Sequence, residues 1–476
     1  MKQFDFDLLV IGGGSGGVRA ARMAAQRGVR VALAEAQGLD GLGGTCVNLG
    51  CIPKKLYSYA ADYATGFEES RGFGWEGEAP RLDWGRLKSR RAAEISRLNG
   101  IYANLLRGSG VTLLEGYARL TGPHQIELAT LNADGSAGHQ SYSAERLLIA
   151  TGGQPYLPHF QGREHVISSD QAFDLDPFPQ RLLVVGGGYI ACEFASIFNG
   201  LGARVTQLYR GEQILRGFDD EIRHFVAAEM RKAGVDLRLN ADVVDIRKTA
   251  EGLRVECGGG TVVMVDAVLY ATGRVPNVKD LGLEAVGVAQ GAQGEVVVNE
   301  HYQTNVPGIY AVGDVTNRVQ LTPVALGEAM VVVDQLFGAA AGKTAREMSY
   351  DFIPTAVFTH PSIGTVGLTE AQAASIASPW DGQPQPWLQW LSLGAFVILL
   401  DGLRAQGAGR LRAGVYGWLF ATAWPFTPTR RSPTWTPARE AGPSSVTLSI
   451  RAPLKSLGWP KASQPSGLRV RRPRPT

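Results

Sequence analysis

Apolar runs that end in glycines predict two copies of one strand–turn–helix–strand unit. The first run, residues 8–11, leads into Gly12-Gly13-Gly14-Ser15-Gly16-Gly17, and a helical pattern then continues to residue 27. A second apolar run, residues 29–34, ends at Glu35. Glycines with this spacing let backbone N–H groups approach a pyrophosphate at a helix N-terminus, and the acid accepts hydrogen bonds from a ribose. The pattern therefore predicts a dinucleotide site, and a merely tight turn is the alternative.

The second copy of the unit differs from the first at the end of its second strand. Residues 181–185 predict a strand, Gly186-Gly187-Gly188 the turn, residues 189–199 a helix and residues 204–209 the second strand. The third glycine of the spacing is replaced by Ala191, and Arg210 stands where the first unit has its acid, with Arg216 six residues further on. An acid would repel a 2′-phosphate, whereas Arg can bind it bidentately. The pattern favours NADPH over NADH, and a solvated arginine pair is the alternative.

Three further apolar runs support a sheet-based fold. Residues 147–153 and 268–274 read as buried strands that end in small-residue turns, and residues 309–315 bring Asp314 to the end of another strand. Ligands in open α/β sheets bind at the C-terminal edge of the strands. The prediction is an α/β fold with two Rossmann-like dinucleotide-binding units, one of which could hold a flavin.

Two cysteines with four residues between them carry the most specific chemistry. Cys46 and Cys51 have glycines on both sides, and a helical pattern that includes Lys54 follows them. A helix N-terminus and a nearby cation favour thiolate, so the pair is predicted to cycle between dithiol and disulfide. A zinc half-site and two unrelated thiols are the alternatives, although zinc needs further ligands. The other two cysteines are isolated and are expected to be buried: Cys192 and Cys257.

Composition separates the chain into two parts. Charged residues make up 19% and apolar residues 45% of the 476 residues, which is typical of a globular protein. Four cysteines are too few for a disulfide scaffold, and neither a targeting signal nor a bilayer-spanning run is recognised, so a cytoplasmic location is expected. Residues 1–374 hold 34 basic and 41 acidic residues, whereas residues 375–476 hold 13 basic and 3 acidic. The basic residues of the tail are scattered among 13 prolines and 7 tryptophans, so nucleic-acid binding is not predicted.

Over about residues 5–374 the chain resembles the class I flavin-dependent pyridine nucleotide-disulfide oxidoreductases. Lys54-Lys55 and the Arg210/Arg216 pair favour the branch that reduces glutathione disulfide. The resemblance implies an FAD-binding domain from residues 1–155 and 279–348 and an NADPH-binding domain from residues 156–278. It also implies a homodimer, with the start of its interface domain in residues 349–374, and a small-molecule disulfide as substrate.

The resemblance also implies roles for individual residues. Cys51 would be the thiolate next to the flavin, Cys46 would attack the substrate, and Lys54 would pair with Glu193 near the flavin. Tyr189 would cover the flavin until the nicotinamide displaces it. The residues expected to bind FAD are Gly12, Gly14, Ser15, Gly16, Gly17, Glu35, Thr45, Cys46, Lys54, Asp314 and Thr322. Those expected at NADPH are Gly186, Gly187, Gly188, Tyr189, Ile190, Glu193, Arg210, Arg216 and Gly273, and those expected at the substrate are Ser15, Arg22 and Tyr102.

Two departures from the family's pattern leave alternatives open. Met330 stands where glutathione-binding members often carry an Arg, and a thioether cannot pair with a carboxylate. After about residue 374 the match stops, and no His follows His360 to protonate the leaving thiolate. The tail reads as an out-of-frame, disordered product, with an unfamiliar domain as the alternative. The competing functions are a crippled flavin-binding chain without the dimer interface, and a relative with another acceptor, such as a quinone or mercuric ion.

Overall fold

The computed structural model describes residues 4–131 and 137–375, and its elements alternate between strand and helix. The expectations for the tail beyond residue 375 lie outside the described residues. The strands are β1 Phe6–Ile11, β2 Val31–Glu35, β3 Thr112–Glu115, β4 Tyr117–Gly122, β5 Gln125–Leu131, β6 Ala137–Ile149, β7 Gly153–Pro155, β8 Ile167–Ser168, β9 Arg181–Val185, β10 Arg204–Tyr209, β11 Asp236–Leu239, β12 Val243–Thr249, β13 Gly252–Cys257, β14 Val262–Val265, β15 Ala267–Tyr270, β16 Arg274–Pro276, β17 Ile309–Ala311, β18 Thr355–Val357 and β19 Ile363–Thr365. The helices are α1 Ser15–Ala25, α2 Gly44–Asn48, α3 Cys51–Arg71, α4 Trp84–Gly108, α5 Ser169–Ala172, α6 Tyr189–Gly200, α7 Asp220–Lys232, α8 Thr322–Phe337 and α9 Glu370–Ser375. None of the helices in these ranges has the length and apolarity that crossing a membrane requires.

The first sheet combines a parallel and an antiparallel part. Its parallel strands lie in the order β3-β2-β1-β6-β17, with Leu9 opposite Ala32 on one side and Leu147 on the other. The first half of β6 pairs antiparallel with β5, which in turn pairs with β4. The long strand β6 therefore belongs to both parts of the sheet.

Burial on both faces explains why β1 is a continuous apolar run. Leu8 and Val10 pack on the face that is covered by α1, α4 and α8, whereas Leu9 and Ile11 pack on the face that is covered by β4 and β5. Successive side chains of a strand point to opposite faces, so neither face tolerates a polar residue here.

The second sheet is parallel and repeats the arrangement of the first. Its strand order is β11-β10-β9-β15-β8, and the antiparallel meander β12-β13-β14 lies next to it. Leu182 and Val184 pack against the helices, whereas Leu183 and Val185 pack toward the meander. The α/β class with two dinucleotide-binding units is confirmed, and residues 181–185 and 204–209 form the strands that the sequence predicted. The expected domain bounds remain predictions.

An aromatic cluster connects the helix that begins at Cys51 to the second unit. Tyr57 of α3 lies 5.1 Å from Trp84 and 5.7 Å from Phe173, measured between ring centroids. The Tyr57 hydroxyl donates to the Phe173 carbonyl at 2.8 Å, and Trp84 lies 6.1 Å from Phe198 of α6. Large buried rings in tilted contact hold their elements in fixed relation, so α3 and α6 are positioned against each other.

Candidate active site

The turn between β1 and α1 can be made only by glycine at two positions. Gly12 has φ 106°, and a Cβ there would lie 2.5 Å from the Ala150 carbonyl oxygen. A Cβ on Gly17 would lie 1.9 Å from the Gly12 carbonyl oxygen. The Gly13 N–H donates to Glu35 Oε2 at 2.6 Å, so the acid at the end of β2 is held against the turn. No side chain caps α1, whose first N–H groups remain available to an anion.

The turn between β9 and α6 is built in the same way. Gly186 has φ 138°, and a Cβ there would lie 2.3 Å from the Ala271 carbonyl oxygen. A Cβ on Gly187 would meet the Tyr209 ring at 2.5 Å, whereas one on Gly188 would meet nothing within 4 Å. The open side of the turn therefore faces away from the sheet, at the uncapped N-terminus of α6.

Arg210 and Arg216 lie beside this second turn. Both side chains are exposed, and the Leu215 N–H donates to the Gly187 carbonyl at 2.6 Å, which fastens their loop to the turn. In the described part of the chain neither guanidinium has an ion pair. The structure thus brings two unneutralised cations to the end of β10, where the sequence predicted a 2′-phosphate contact.

The two cysteines lie on separate helices. Cys46 is half-buried within the short α2, and Cys51 is exposed as the first residue of the 21-residue α3; both are free thiols. The Gly43 N–H donates to the Gly13 carbonyl at 2.8 Å, and a Cβ on Gly44 would lie 2.6 Å from Gly14 Cα. The thiol segment, residues 43–51, therefore contacts the first glycine turn directly. The sequence pattern did not reveal this contact.

The neighbours of Cys51 favour its thiolate. A hydrogen bond from Cys46 and the charge of Lys54 lower the pKa of Cys51 to about 6, and Thr322 Oγ1 lies 4.0 Å from its sulfur. The helix N-terminus acts in the same direction. The bond to Cys51 and burial both raise the pKa of Cys46. In the reduced pair, above about pH 6, the proton is therefore on Cys46 and the negative charge is on Cys51.

A nearly buried ion pair lies next to the thiols. Lys54 Nζ is 2.7 Å from Glu193 Oε1, and their side chains are 13% and 4% exposed. The Phe358 N–H donates to the same carboxylate at 2.8 Å, and Lys54 lies 4.3 Å from the centre of the Phe358 ring. A buried pair needs such additional hydrogen bonds to offset its desolvation. The pair joins α3 of the first unit to α6 of the second.

Tyr189 and Asp314 approach the same region from two other elements. Tyr189 is the first residue of α6 and is 38% exposed; burial, followed by the charge of Glu193, raises its pKa to about 12. Asp314 lies in a 3₁₀ turn after β17, which ends at Ala311, four residues before the end of the run that was predicted over residues 309–315. Burial raises the pKa of Asp314.

A second acid that the sequence analysis missed holds this turn. Glu328 of α8 is 1% exposed and accepts a hydrogen bond from the Gly313 N–H at 2.6 Å. Its other oxygen accepts from the Tyr350 hydroxyl at 2.5 Å. Since both contacts are long-range in sequence, no local pattern could have indicated them.

The residues expected at the substrate lie on two helices, α1 and α4. Ser15 is half-buried at the start of α1, and Tyr102 is half-buried on α4. Burial, followed by the charge of Cys46, raises the pKa of the Tyr102 phenol. Arg22 is half-buried on α1. Met330 is buried in α8 and offers no hydrogen bond to a carboxylate.

The remaining cysteines and the last histidine lie apart from this chemistry. Cys192 is fully buried in α6 and Cys257 is buried in β13, as the sequence predicted. His360 Nε2 lies 3.2 Å from Asp62 Oδ1. Within the described ranges no group of three or more His, Cys, Asp or Glu side chains is arranged to hold a metal ion.

Comparisons with known proteins agree with this geometry. The family model for pyridine nucleotide-disulphide oxidoreductases matches residues 6–329. Glutathione reductase of Burkholderia cepacia is 48% identical over 373 residues, 78% of this chain and 80% of its own length. Chloroplastic/mitochondrial glutathione reductase of Pisum sativum is 46% identical over 382 residues, 78% of this chain and 67% of its own length. The solved Cu(II) complex of the HOCl-induced flavoprotein disulfide reductase RclA from Escherichia coli has a TM-score of 0.70 at 29% identity, covering 79% of this chain and 80% of that one. Two glycine turns, a polarised thiol pair and these similarities lead to one assignment: the chain belongs to the pyridine nucleotide-disulphide oxidoreductase family.

Proposed function

We propose that this chain catalyses the NADPH-dependent reduction of glutathione disulfide, with FAD and NADPH as cofactors and Cys46 and Cys51 as the redox pair. One observation carries the proposal: a low-pKa thiol, Cys51, starts a long helix beside Cys46 and Lys54, against a glycine turn. The similarity to proteins named glutathione reductase, at 40–48% identity, supports this substrate. Because the site residues come together, a flavin-binding chain without catalytic activity is the less favoured alternative.

The two glycine turns fit the two dinucleotides. The turn at Gly12–Gly17 offers uncapped N–H groups and holds Glu35 for a ribose, which suits FAD. The turn at Gly186–Gly188 has open space above Gly188, and two arginines that form no ion pair with any described residue lie nearby, which suits a nucleotide with a 2′-phosphate. When bound, FAD supplies the hydride-accepting ring that couples the oxidation of NADPH to the reduction of a disulfide.

The thiols perform the exchange with the substrate. Cys46 Sγ attacks one sulfur of glutathione disulfide, the substrate S–S bond breaks, and one glutathione leaves as thiolate. Because Cys46 donates to the Cys51 thiolate, the proton that Cys46 loses has an acceptor in contact. Cys51 passes this proton to the first glutathione thiolate, which leaves as the thiol, and is again a thiolate. It then attacks the Cys46 sulfur of the mixed disulfide, which forms the Cys46–Cys51 disulfide and releases the second glutathione as thiolate. Two electrons from NADPH return the pair to the dithiol.

Three other side chains position this chemistry. Lys54, fixed by Glu193, holds a positive charge beside Cys51 and stabilises its thiolate. Tyr189, at the mouth of the second turn, covers the site until the nicotinamide enters. We expect Tyr102, whose phenol is influenced by the charge of Cys46, to contact the substrate.

The proposal extends to assembly and location. We expect a homodimer, as the resemblance implies, and the exposed aromatic side chains of Tyr63, Phe73 and Trp75 support an apolar contact surface. The need for NADPH and for reduced thiols favours the cytoplasm. Light scattering of the purified chain tests the dimer: a mass of two chains supports it, and a mass of one chain contradicts it.

The activity is tested by following NADPH oxidation with glutathione disulfide. Cys46→Ser and Cys51→Ser should each abolish disulfide reduction, whereas Cys257→Ser, a matched thiol substitution in β13, should retain it. Reduction of a small dye, which needs no thiol exchange, should persist in all three. Disulfide reduction by either active-site variant, or none by the wild type, would refute the proposal.

A further inference from the structure

An arginine of α7 holds the loop that carries the two cations expected at the 2′-phosphate. Arg223 Nε donates to the Ile214 carbonyl at 2.8 Å, and its Nη2 donates to the Gln213 carbonyl at 2.9 Å. The third nitrogen, Nη1, pairs with Asp220, which lies one turn earlier in the same helix. Each guanidinium nitrogen of Arg223 therefore has a partner within the protein, and the side chain serves the loop rather than an incoming anion.

The loop needs this support because it is irregular and buried at the point of contact. Residues 213–215 are buried, and the exposed Arg216 follows them directly. Leu215 has φ 55°, a left-handed conformation that a bulky side chain adopts only where the surroundings hold it. Backbone carbonyls of a buried segment outside a helix or sheet need donors from elsewhere. Arg223 supplies donors to two of these carbonyls.

The same loop is fastened to the second glycine turn. The Leu215 N–H donates to the Gly187 carbonyl at 2.6 Å, and the Leu215 carbonyl accepts from the Phe218 N–H at 3.1 Å. Arg216 lies between these two bonds, so its backbone is fixed relative to the turn. A phosphate that binds here then has to order only side chains. Without the bonds, the loop backbone would have to be ordered at the moment of binding, which would weaken the contact.

We propose that Arg223 is a positioning residue for cofactor selectivity: it fixes residues 213–215 so that Arg210 and Arg216 meet the 2′-phosphate of NADPH, and it does not touch the phosphate itself. This inference rests on the proposed function. Exposed ion pairs contribute little when the groups must first be ordered, because the lost entropy offsets the attraction. A loop that is already ordered avoids this loss. The effect of Arg223 should therefore be confined to the nucleotide that carries a 2′-phosphate.

The test compares NADPH with NADH as electron donors for dye reduction by the holoprotein. Arg223→Gln should raise KM for NADPH roughly 5- to 10-fold, about the cost of fixing the backbone of one residue. KM for NADH, and kcat with either nucleotide, should hardly change. Arg223→Lys should lie between, because an ammonium can donate to the carbonyls but lacks the planar fork. The matched control is Arg231→Gln, which removes another arginine of α7 that donates to the Leu237 carbonyl of β11; both KM values should stay unaltered.

Calorimetry with 2′,5′-ADP separates positioning from direct contact. In Arg223→Gln combined with Asp220→Asn, which keeps the net charge, this probe should bind roughly 5- to 10-fold more weakly, with the salt dependence of the wild type. A weaker salt dependence would assign a direct phosphate contact to Arg223 and overturn the inference.

The remaining outcomes keep the inference separate from folding and from the proposed activity. An unchanged KM for NADPH, equal losses for NADPH and NADH, or loss of FAD from Arg223→Gln would overturn it, since Arg223 would then serve the fold or nothing. A wild type that prefers NADPH in dye reduction but leaves glutathione disulfide intact would remove the proposed function, and the selectivity of the variants would still support the inference.

Discussion

The acidity of Cys51 should depend on the hydrogen bond that Cys46 donates to it. The pKa of Cys51 is lowered to about 6, and this bond is the largest cause. A hydrogen bond to a charged group contributes roughly 1.5–3 kcal/mol, which corresponds to about 1–2 pH units at ~1.4 kcal/mol per unit. Cys46→Ala, which removes the donor, should therefore move the midpoint from about 6 to about 7–8. Cys46→Ser, which keeps a hydroxyl donor of similar size, should stay near the wild-type value.

The midpoint can be measured from the pH dependence of Cys51 alkylation by iodoacetamide. Because the folded-state pKa is below the ordinary value, the thiolate forms above about pH 6 and is lost as the pH falls through it. At pH 7 the Ser variant should react several times faster than the Ala variant. Equal midpoints for the two variants would refute the reasoning and assign the low pKa to Lys54 and the helix N-terminus alone.

Three further sets of substitutions test other parts of the site. Arg210→Ala combined with Arg216→Ala should erase a preference for NADPH over NADH that we expect to be roughly tenfold or more in kcat/KM, since each charge-assisted contact contributes about 1.5–3 kcal/mol; an unchanged ratio would contradict the assignment. Glu193→Gln should destabilise the fold by about 3–5 kcal/mol in chemical denaturation, because it leaves Lys54 unpaired. In the same variant the pKa of Cys51 should fall further, because the charge of Glu193 raises this pKa in the wild type. A higher Cys51 pKa in Glu193→Gln would contradict this account of the electrostatics. Gly12→Ala should lower the free energy of unfolding by at least about 1–3 kcal/mol and release FAD, since its Cβ would lie 2.5 Å from the Ala150 carbonyl oxygen. Gly100→Ala, at an exposed helix position with open space, should raise the free energy of unfolding by about 0.5–1 kcal/mol. Equal stabilities of the two variants would contradict the packing argument.

The strands that were predicted best are those with the clearest local signals. Residues 182–185 are an apolar run that leads into the glycine turn, and residues 204–209 follow the glycine stop at residues 200–202. The structure forms β9 from residues 181–185 and β10 from residues 204–209. The first unit is less sharply defined, because β1 begins at Phe6, two residues before the apolar run. Pairing with Ala144 and Arg146 of β6 extends β1 to Phe6. The local sequence pattern does not indicate this pairing.

Long-range contacts at the site left no signal in the sequence. The segment with the two thiols contacts the first glycine turn because Gly44 approaches Gly14, thirty residues earlier in the chain. Only the folded backbone shows this contact. The bond from Gly313 to Glu328 has the same character. The pairing of Lys54 with Glu193 was implied by the family resemblance alone, since nothing in the spacing of 139 residues indicates it.

The stoichiometry of the reaction tests the central claim most directly. Anaerobic incubation of the purified holoprotein with limiting NADPH and excess glutathione disulfide should yield two glutathione thiols for each NADPH oxidised, because one electron pair cleaves one disulfide. Cys46→Ser should yield none, although it still passes electrons from NADPH to a dye. NADPH oxidation by the wild type without thiol release, or thiol release that persists in Cys46→Ser, would contradict a disulfide reductase that works through Cys46 and Cys51.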